Sequence, residues 1–251
     1  MVRILLSNDD GISSEGLRAL YESVRELGEV TVFAPDREQS AAGHSLSLHR
    51  PLRIEALGEE WFAVDGTPTD CVNLALNGLL KERRPDIVLS GINTGGNLGD
   101  DITYSGTVAA AMEATLLGIP AVALSLVLEN GETPRFELAA RFARRICEET
   151  LERGLGEGVL LNVNIPNIDP GDCLGVRVTR QGKRIYGDAI VEKIDPRGRE
   201  YFWIGRGALD WIREPGTDFD AVSNNQVSVM PVRLDLTDFG AIEDIEKWDF
   251  R

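Results

Sequence analysis

Several common signatures are missing from this chain, and each gap removes a class of function. Its three cysteines, Cys71, Cys147 and Cys173, form no CxxC pair and leave an odd count, so neither a disulfide framework nor a thiolate metal knuckle is expected. Reduced thiols fit a cytoplasmic protein. No GxGxxG turn and no GK[ST] run occur, which removes a dinucleotide fingerprint and a P-loop. The longest strongly apolar run, "IPAVALSLVL", is too short to span a bilayer, and no cationic-then-apolar leader is read at the start. Basic residues are also scarce, with 26 Lys and Arg against 41 Asp and Glu, a net charge of −15. Such a surface disfavours polymeric nucleic acid and anionic membrane, while a small anion needs only one local positive centre.

What remains is a chain of 251 residues, 43% hydrophobic, with ample material for one large core. Short apolar runs alternate with helical patterns. "VRILLS" precedes "SEGLRALYESVREL", whose Leu17, Leu20, Tyr21, Val24 and Leu27 share one helical face. "EVTVFAP" follows as a strand stopped by Pro35. "TPTDCVNLALNGLL" carries a helix start, with Thr67 as N-cap, Pro68 next and Asp70 three after the cap. "PDIVLSG", "SGTVAAAMEATLLG", "IPAVALSLVL", "PRFELAARFARRICEETLERG" and "GVLLNVNIP" continue the alternation. Strands apolar throughout, each followed by a helix, specify an α/β fold with a doubly wound, mostly parallel sheet. Residues 1–179 are read as this Rossmann-like core. Residues 180–251 are read as a β-rich extension: two β segments about the Asp195-Pro196-Arg197-Gly198 turn, the strand "NQVSVMPVRLDL", and a final helix in "DFGAIEDIEKW". The extension packs either on another part of the chain or on another subunit.

Ligands of such sheets collect beyond the carboxyl ends of the strands, and two of those ends are unusual. "SNDDG" sets Asp9 beside Asp10, which either cap the following turn or recruit a hard cation such as Mg²⁺, Mn²⁺ or Ca²⁺. "SGINTGGNLGDD" is dense in glycine and offers the amides of Asn93 and Asn97. In "APDREQSAAGHS", Ser40 is a neutral oxygen donor or a turn residue, and His44 an acid–base group or a structural one. Ser105, Gly106 and Thr107 open a helix, where free N–H groups favour an anion. A cation-type and an anion-type site on one sheet edge together point to a phosphate ester.

"ILLSNDDG", "APDREQSAAGHS", "GTPTDCV", "LSGINTGGNLGDD" and "YSGTVAAAMEA" stand in the order and spacing of the SurE (survival protein E) family, which the chain resembles over nearly its whole length. "LNVNIP", "VTRQG", "DPRGREYFWIG", "GTDFDAV" and "LDLTD" extend the match. The resemblance implies a divalent-metal-dependent phosphomonoesterase acting on nucleoside monophosphates, a 5′-nucleotidase and often a 3′-nucleotidase, with exopolyphosphatase activity in some members. It implies Asp9, Asp10, Ser40 and Asn93 as ligands of one Mg²⁺ or Mn²⁺ per subunit, and Asn97 with Ser105, Gly106 and Thr107 as phosphate contacts. Asp9 and Asp10 are the expected catalytic carboxylates, one of them orienting or deprotonating the attacking water. The family's C-terminal extension exchanges between subunits, giving a homodimer or homotetramer. Tyr104 stands where some relatives have His. Two other readings remain: a Mg²⁺-binding phospho-acceptor signalling domain, and a metal-nucleotide binding module without turnover. The first needs a further Asp and a Lys at later strand ends, which the sequence does not supply.

Overall fold

The computed structural model describes residues 1–129, 131–186, 190–204 and 209–250. Ile4, Leu5 and Leu6 are apolar without alternation because both faces of their strand are covered. They form β1 (Arg3–Ser7), after which come α1 (Glu15–Val24), β2 (Glu29–Pro35), β3 (Ile54–Gly58), β4 (Trp61–Val64) and α2 (Pro68–Leu74). Then follow β5 (Ile87–Thr94), α3 (Gly106–Leu116), β6 (Ala121–Val127), α4 (Phe136–Arg153), β7 (Val159–Pro166) and β8 (Val176–Val178). The C-terminal part holds β9 (Arg184–Tyr186), β10 (Ile190–Ile194), β11 (Glu200–Ile204), β12 (Leu209–Trp211), α5 (Asp218–Ser223), β13 (Val227–Arg233) and α6 (Phe239–Ile245).

The main sheet has nine strands in the order β3-β4-β2-β1-β5-β6-β7-β13-β8. It is parallel from β4 to β7, with β3 antiparallel at one edge and β13 antiparallel to β7. The expected doubly wound, mostly parallel sheet is therefore present. Ile4 and Leu6 pack with Leu17, Leu20 and Val24 of α1 and with Leu138, Phe142 and Ile146 of α4. Leu5 points the other way, into Cys71 and Val72 of α2 and Ala110, Ala111 and Ala114 of α3. Local signals place the helices: Ser14 caps α1, Thr67 and Asp70 form a capping box on α2 behind Pro68, and Ser105 caps α3.

From β1 the chain winds to β2 and β4 on one side, then returns to β5, β6 and β7 on the other. The connections leaving β1 and β5 thus diverge and open a crevice at their carboxyl ends. Ser7 lies opposite Ser90 at that point.

The two β segments about Asp195 are the antiparallel pair β10–β11, and the final helix is α6. Gly187–Ala189 and Gly205 of those segments lie outside the described residues. All described residues of β10 and β11 are exposed. β13 enters the main sheet between β7 and β8, so the change of texture at residue 180 is not the limit of the sheet. β3 carries no sequence signal because it is an exposed edge with no apolar run, whereas β4 is the short apolar run "WFAV". No described helix is long and apolar enough to cross a membrane.

Candidate active site

Asn8 shapes the turn after β1, its Nδ2 donating to Gly11 O at 3.0 Å and to Ser14 Oγ at 2.8 Å. The loop after β2 is laid across this turn by Ile12 N–H on Pro35 O and Gln39 N–H on Asp9 O, both 2.8 Å. The cap of α1 is Ser14, which leaves Asp9 and Asp10 free of that duty. Asp9 is only 5% exposed, and burial pushes its carboxyl up from 3.8 to about 6, with Thr107 opposing and Asp10 adding to the rise. Asp10 is also held above its ordinary value, first by burial, while the Thr94 N–H pulls it down and Glu38 pushes it up. Holding Asp9 charged without a nearby cation therefore costs on the order of 3 kcal/mol. Burial of Ile4, Leu5 and Leu6, each contributing about 1.5–3 kcal/mol, keeps the strand in place against that cost.

The anion-type element meets the carboxylates directly. Thr107 Oγ1 donates to Asp9 Oδ1 at 2.5 Å, across 98 residues of sequence. A Cβ on Gly106 would stand 2.7 Å from Asp9 Cβ and 2.9 Å from Asp9 Oδ2, so only glycine lets the start of α3 rest on this side chain. Ser105 Oγ accepts from Val108 N–H, completing the N-cap. Asp10 Oδ2 accepts from Thr94 N–H at 3.0 Å, which sets Asn93 beside the pair. The Asn93 amide is oriented by Nδ2 donating to Gly95 O at 2.6 Å, which leaves Oδ1 as the atom open to a ligand. Ser40 follows Gln39 in the loop bound to Asp9 O. It is exposed, with Oγ donating to Glu38 Oε1 at 2.6 Å.

Asn97 is buried, and one N–H of its amide is committed to Ser125 Oγ at 2.8 Å. Its backbone is clamped by β7: Asn97 N–H donates to Asn164 Oδ1, and Asn97 O accepts from Asn162 Nδ2 and Asn164 Nδ2. Sequence reasoning missed this pair of asparagines. The available signal was two amides at spacing two on the otherwise buried strand "LLNVNIP". His44 Nε2 lies 2.9 Å from Glu113 Oε2, while Asn73 Nδ2 donates to Glu113 Oε1.

The donors suit a hard divalent cation. Among the described residues no three His, Cys, Asp or Glu side chains form a metal cluster, so two carboxylates would be completed by neutral oxygens and water. No cationic side chain is among the influences on Asp9 or Asp10. Around them Ser7 Oγ, Asn8 Oδ1 and Ser90 Oγ are buried without a protein partner, so the floor of the crevice has polar capacity to spare.

The family model "Survival protein SurE" matches residues 4–188. Two curated relatives named 5′-nucleotidase SurE come from Geobacter sulfurreducens, 53% identical over 99% of this chain and 94% of theirs, and from Geotalea daltonii, 54% identical over 99% of both. The crystal structure of the SurE protein from Aquifex aeolicus superposes with a TM-score of 0.86 at 44% identity, covering 97% of this chain and 98% of that one. A crevice with paired carboxylates against a helix start, in a chain matched this fully, belongs to the SurE family.

Proposed function

We propose that this chain is a divalent-metal-dependent 5′-nucleotidase, hydrolysing nucleoside monophosphates to nucleoside and phosphate. The observation that carries the reading is the Thr107–Asp9 hydrogen bond, which joins the acidic pair to an anion-binding helix start in one crevice. The names of the relatives supply the 5′ position. Activity on 3′-nucleotides and on short polyphosphate belongs to the same proposal, on the resemblance to the family.

Asp9, Asp10, Ser40 and Asn93 would hold one Mg²⁺ or Mn²⁺. When bound, such an ion polarises the phosphoryl group and lowers the pKa of a coordinated water. The start of α3 and the second N–H of Asn97 bind the non-bridging oxygens. Asp9 or Asp10 orients or deprotonates the attacking water. Water is the nucleophile in this scheme, since no Cys or Ser stands out as a covalent one; Cys71 and Cys147 are buried with thiols pushed up, Cys147 to about 12, each mainly by burial.

The same proposal makes residues 180–251 the assembly element of a homodimer or homotetramer, on the strength of the exposed hairpin β10–β11, and residues 1–179 the catalytic core. It places the protein in the cytoplasm, in keeping with three free cysteines.

The test is phosphate release from nucleoside 5′- and 3′-monophosphates and polyphosphate, with Mg²⁺, Mn²⁺ or EDTA. Turnover that needs the cation is expected. Equal rates in EDTA would overturn the metal assignment, and accumulation of an aspartyl phosphate in place of released phosphate would favour the signalling reading.

A further inference from the structure

The runs "VTRQG" and "GTDFDAV" lie outside the crevice, and neither enters the chemistry above. They meet at Asp218, the first residue of α5, which is fully buried. Among the described residues its carboxylate accepts three backbone N–H groups: Gly99 on Oδ2 at 2.7 Å, and Gly182 and Phe219 on Oδ1 at 2.9 Å each. The Gly99 contact spans 119 residues. Gly99 is held on its other side too, since its carbonyl accepts from Gln181 Nε2 at 3.2 Å. Its φ is +55°, and a Cβ there would lie 2.7 Å from Phe219 Cε2, so the chain at this point is shaped by the C-terminal segment. The next residues are held likewise: Arg184 N–H donates to Asp100 Oδ2, and the Arg184 guanidinium pairs with Asp101 while lying over Phe219.

Gly99 lies between Asn97 and Ser105, two residues after the first, and both belong to the proposed phosphate contact. Upstream, Asn162 and Asn164 clamp the Asn97 backbone. Downstream, the chain passes through one 3-10 turn (Gly99–Thr103) into Tyr104 and the start of α3. We propose that Asp218 is a positioning residue for phosphate binding: by gripping Gly99 it sets where segment 97–107 presents its donors. This rests on the phosphate-binding reading of that segment.

The arrangement requires a carboxylate. Both oxygens accept, so Gly99 and Gly182 are served together, whereas an amide offers one accepting atom and must turn an N–H group on one of those two donors.

The experiment compares the unmodified chain with Asp218→Asn and with the milder Gln181→Ala. It measures the inhibition constant of inorganic phosphate, kcat and KM for a nucleoside monophosphate, and Mn²⁺ affinity without substrate. Asp218→Asn is expected to weaken phosphate and to lower kcat/KM by about tenfold to a hundredfold. Mn²⁺ affinity should fall by clearly less than phosphate affinity, because the proposed ligands lie outside segment 97–107, which touches them only where Gly106 and Thr107 meet Asp9. Gln181→Ala should shift phosphate in the same direction by less, and it decides the matter if Asp218→Asn does not fold. Unchanged phosphate inhibition in the folded variants, or a parallel fall in Mn²⁺ affinity, would overturn the proposal. Absence of turnover by the unmodified chain would instead sink the nucleotidase reading, and phosphate binding by calorimetry would still decide this one.

Discussion

At the carboxyl ends of β1 and β5 the chain buries what is ordinarily wet, and in the β10–β11 arm it exposes what is ordinarily dry. Asp9 is 5% exposed, whereas Phe202 is 59% and Trp203 64% exposed. Buried polar groups and exposed apolar patches are the two departures from the usual distribution that carry information. The difference teaches that the two regions need different complements. The crevice has converging oxygen donors and raised carboxyl groups, which call for positive charge. The arm has a hairpin whose described side chains find no core, and a lone hairpin is marginal in water, so it calls for apolar surface.

The comparison breaks most sharply at Asp10. Asp10→Asn keeps an acceptor for the Thr94 N–H and removes one of the two proposed anionic ligands. We expect kcat on a nucleoside monophosphate to fall at least about a hundredfold with the circular dichroism unchanged. Near-full turnover would mean the crevice does not use its charge. On the arm, Phe202→Ser combined with Trp203→Ser removes two large apolar side chains, each contributing about 1.5–3 kcal/mol when buried. Sedimentation should show a smaller species and fluorescence an intact fold; an unchanged mass would mean the arm is not the assembly surface. The smallest effect sharpens the electrostatic side. A raised carboxyl pKa favours the protonated folded protein, so the metal-free chain loses stability as pH rises from 3.8 through about 6 at Asp9. Asp9→Asn escapes that loss. In EDTA its advantage over the unmodified chain should grow across this window and level off above it, at about 1–3 kcal/mol, with each kcal/mol raising the melting midpoint by about 2–4 °C. A melting point that does not rise at pH 7.5 would show that Asp9 is not strained by burial.

Much of the frame was legible because its causes are local. Ser14, Thr67 with Pro68 and Asp70, and Ser105 start helices through contacts within three residues. Continuous apolar strands announced a two-sided sheet. The adjacent carboxylates at a strand end were visible too, but whether they cap a turn or face a ligand was not, until Ser14 took the cap of α1. The clamps were not legible. Asn97 with Asn162 spans 65 residues, His44 with Glu113 spans 69, and Gly99 with Asp218 spans 119. Nothing near Asp218 in the chain distinguishes it from an ordinary acidic residue in the first turn of a helix.

By itself, the sequence determined the alternation of strands and helices, the helix caps and the presence of hard oxygen donors at two strand ends. These follow from side-chain periodicity and backbone capping, which act over a few residues. The tertiary structure alone decided that Asp9 rests on Gly106 and Thr107, that β13 joins the main sheet, and that Asp218 holds Gly99. Those facts depend on which strands become neighbours, and that is settled by burial summed over the whole core.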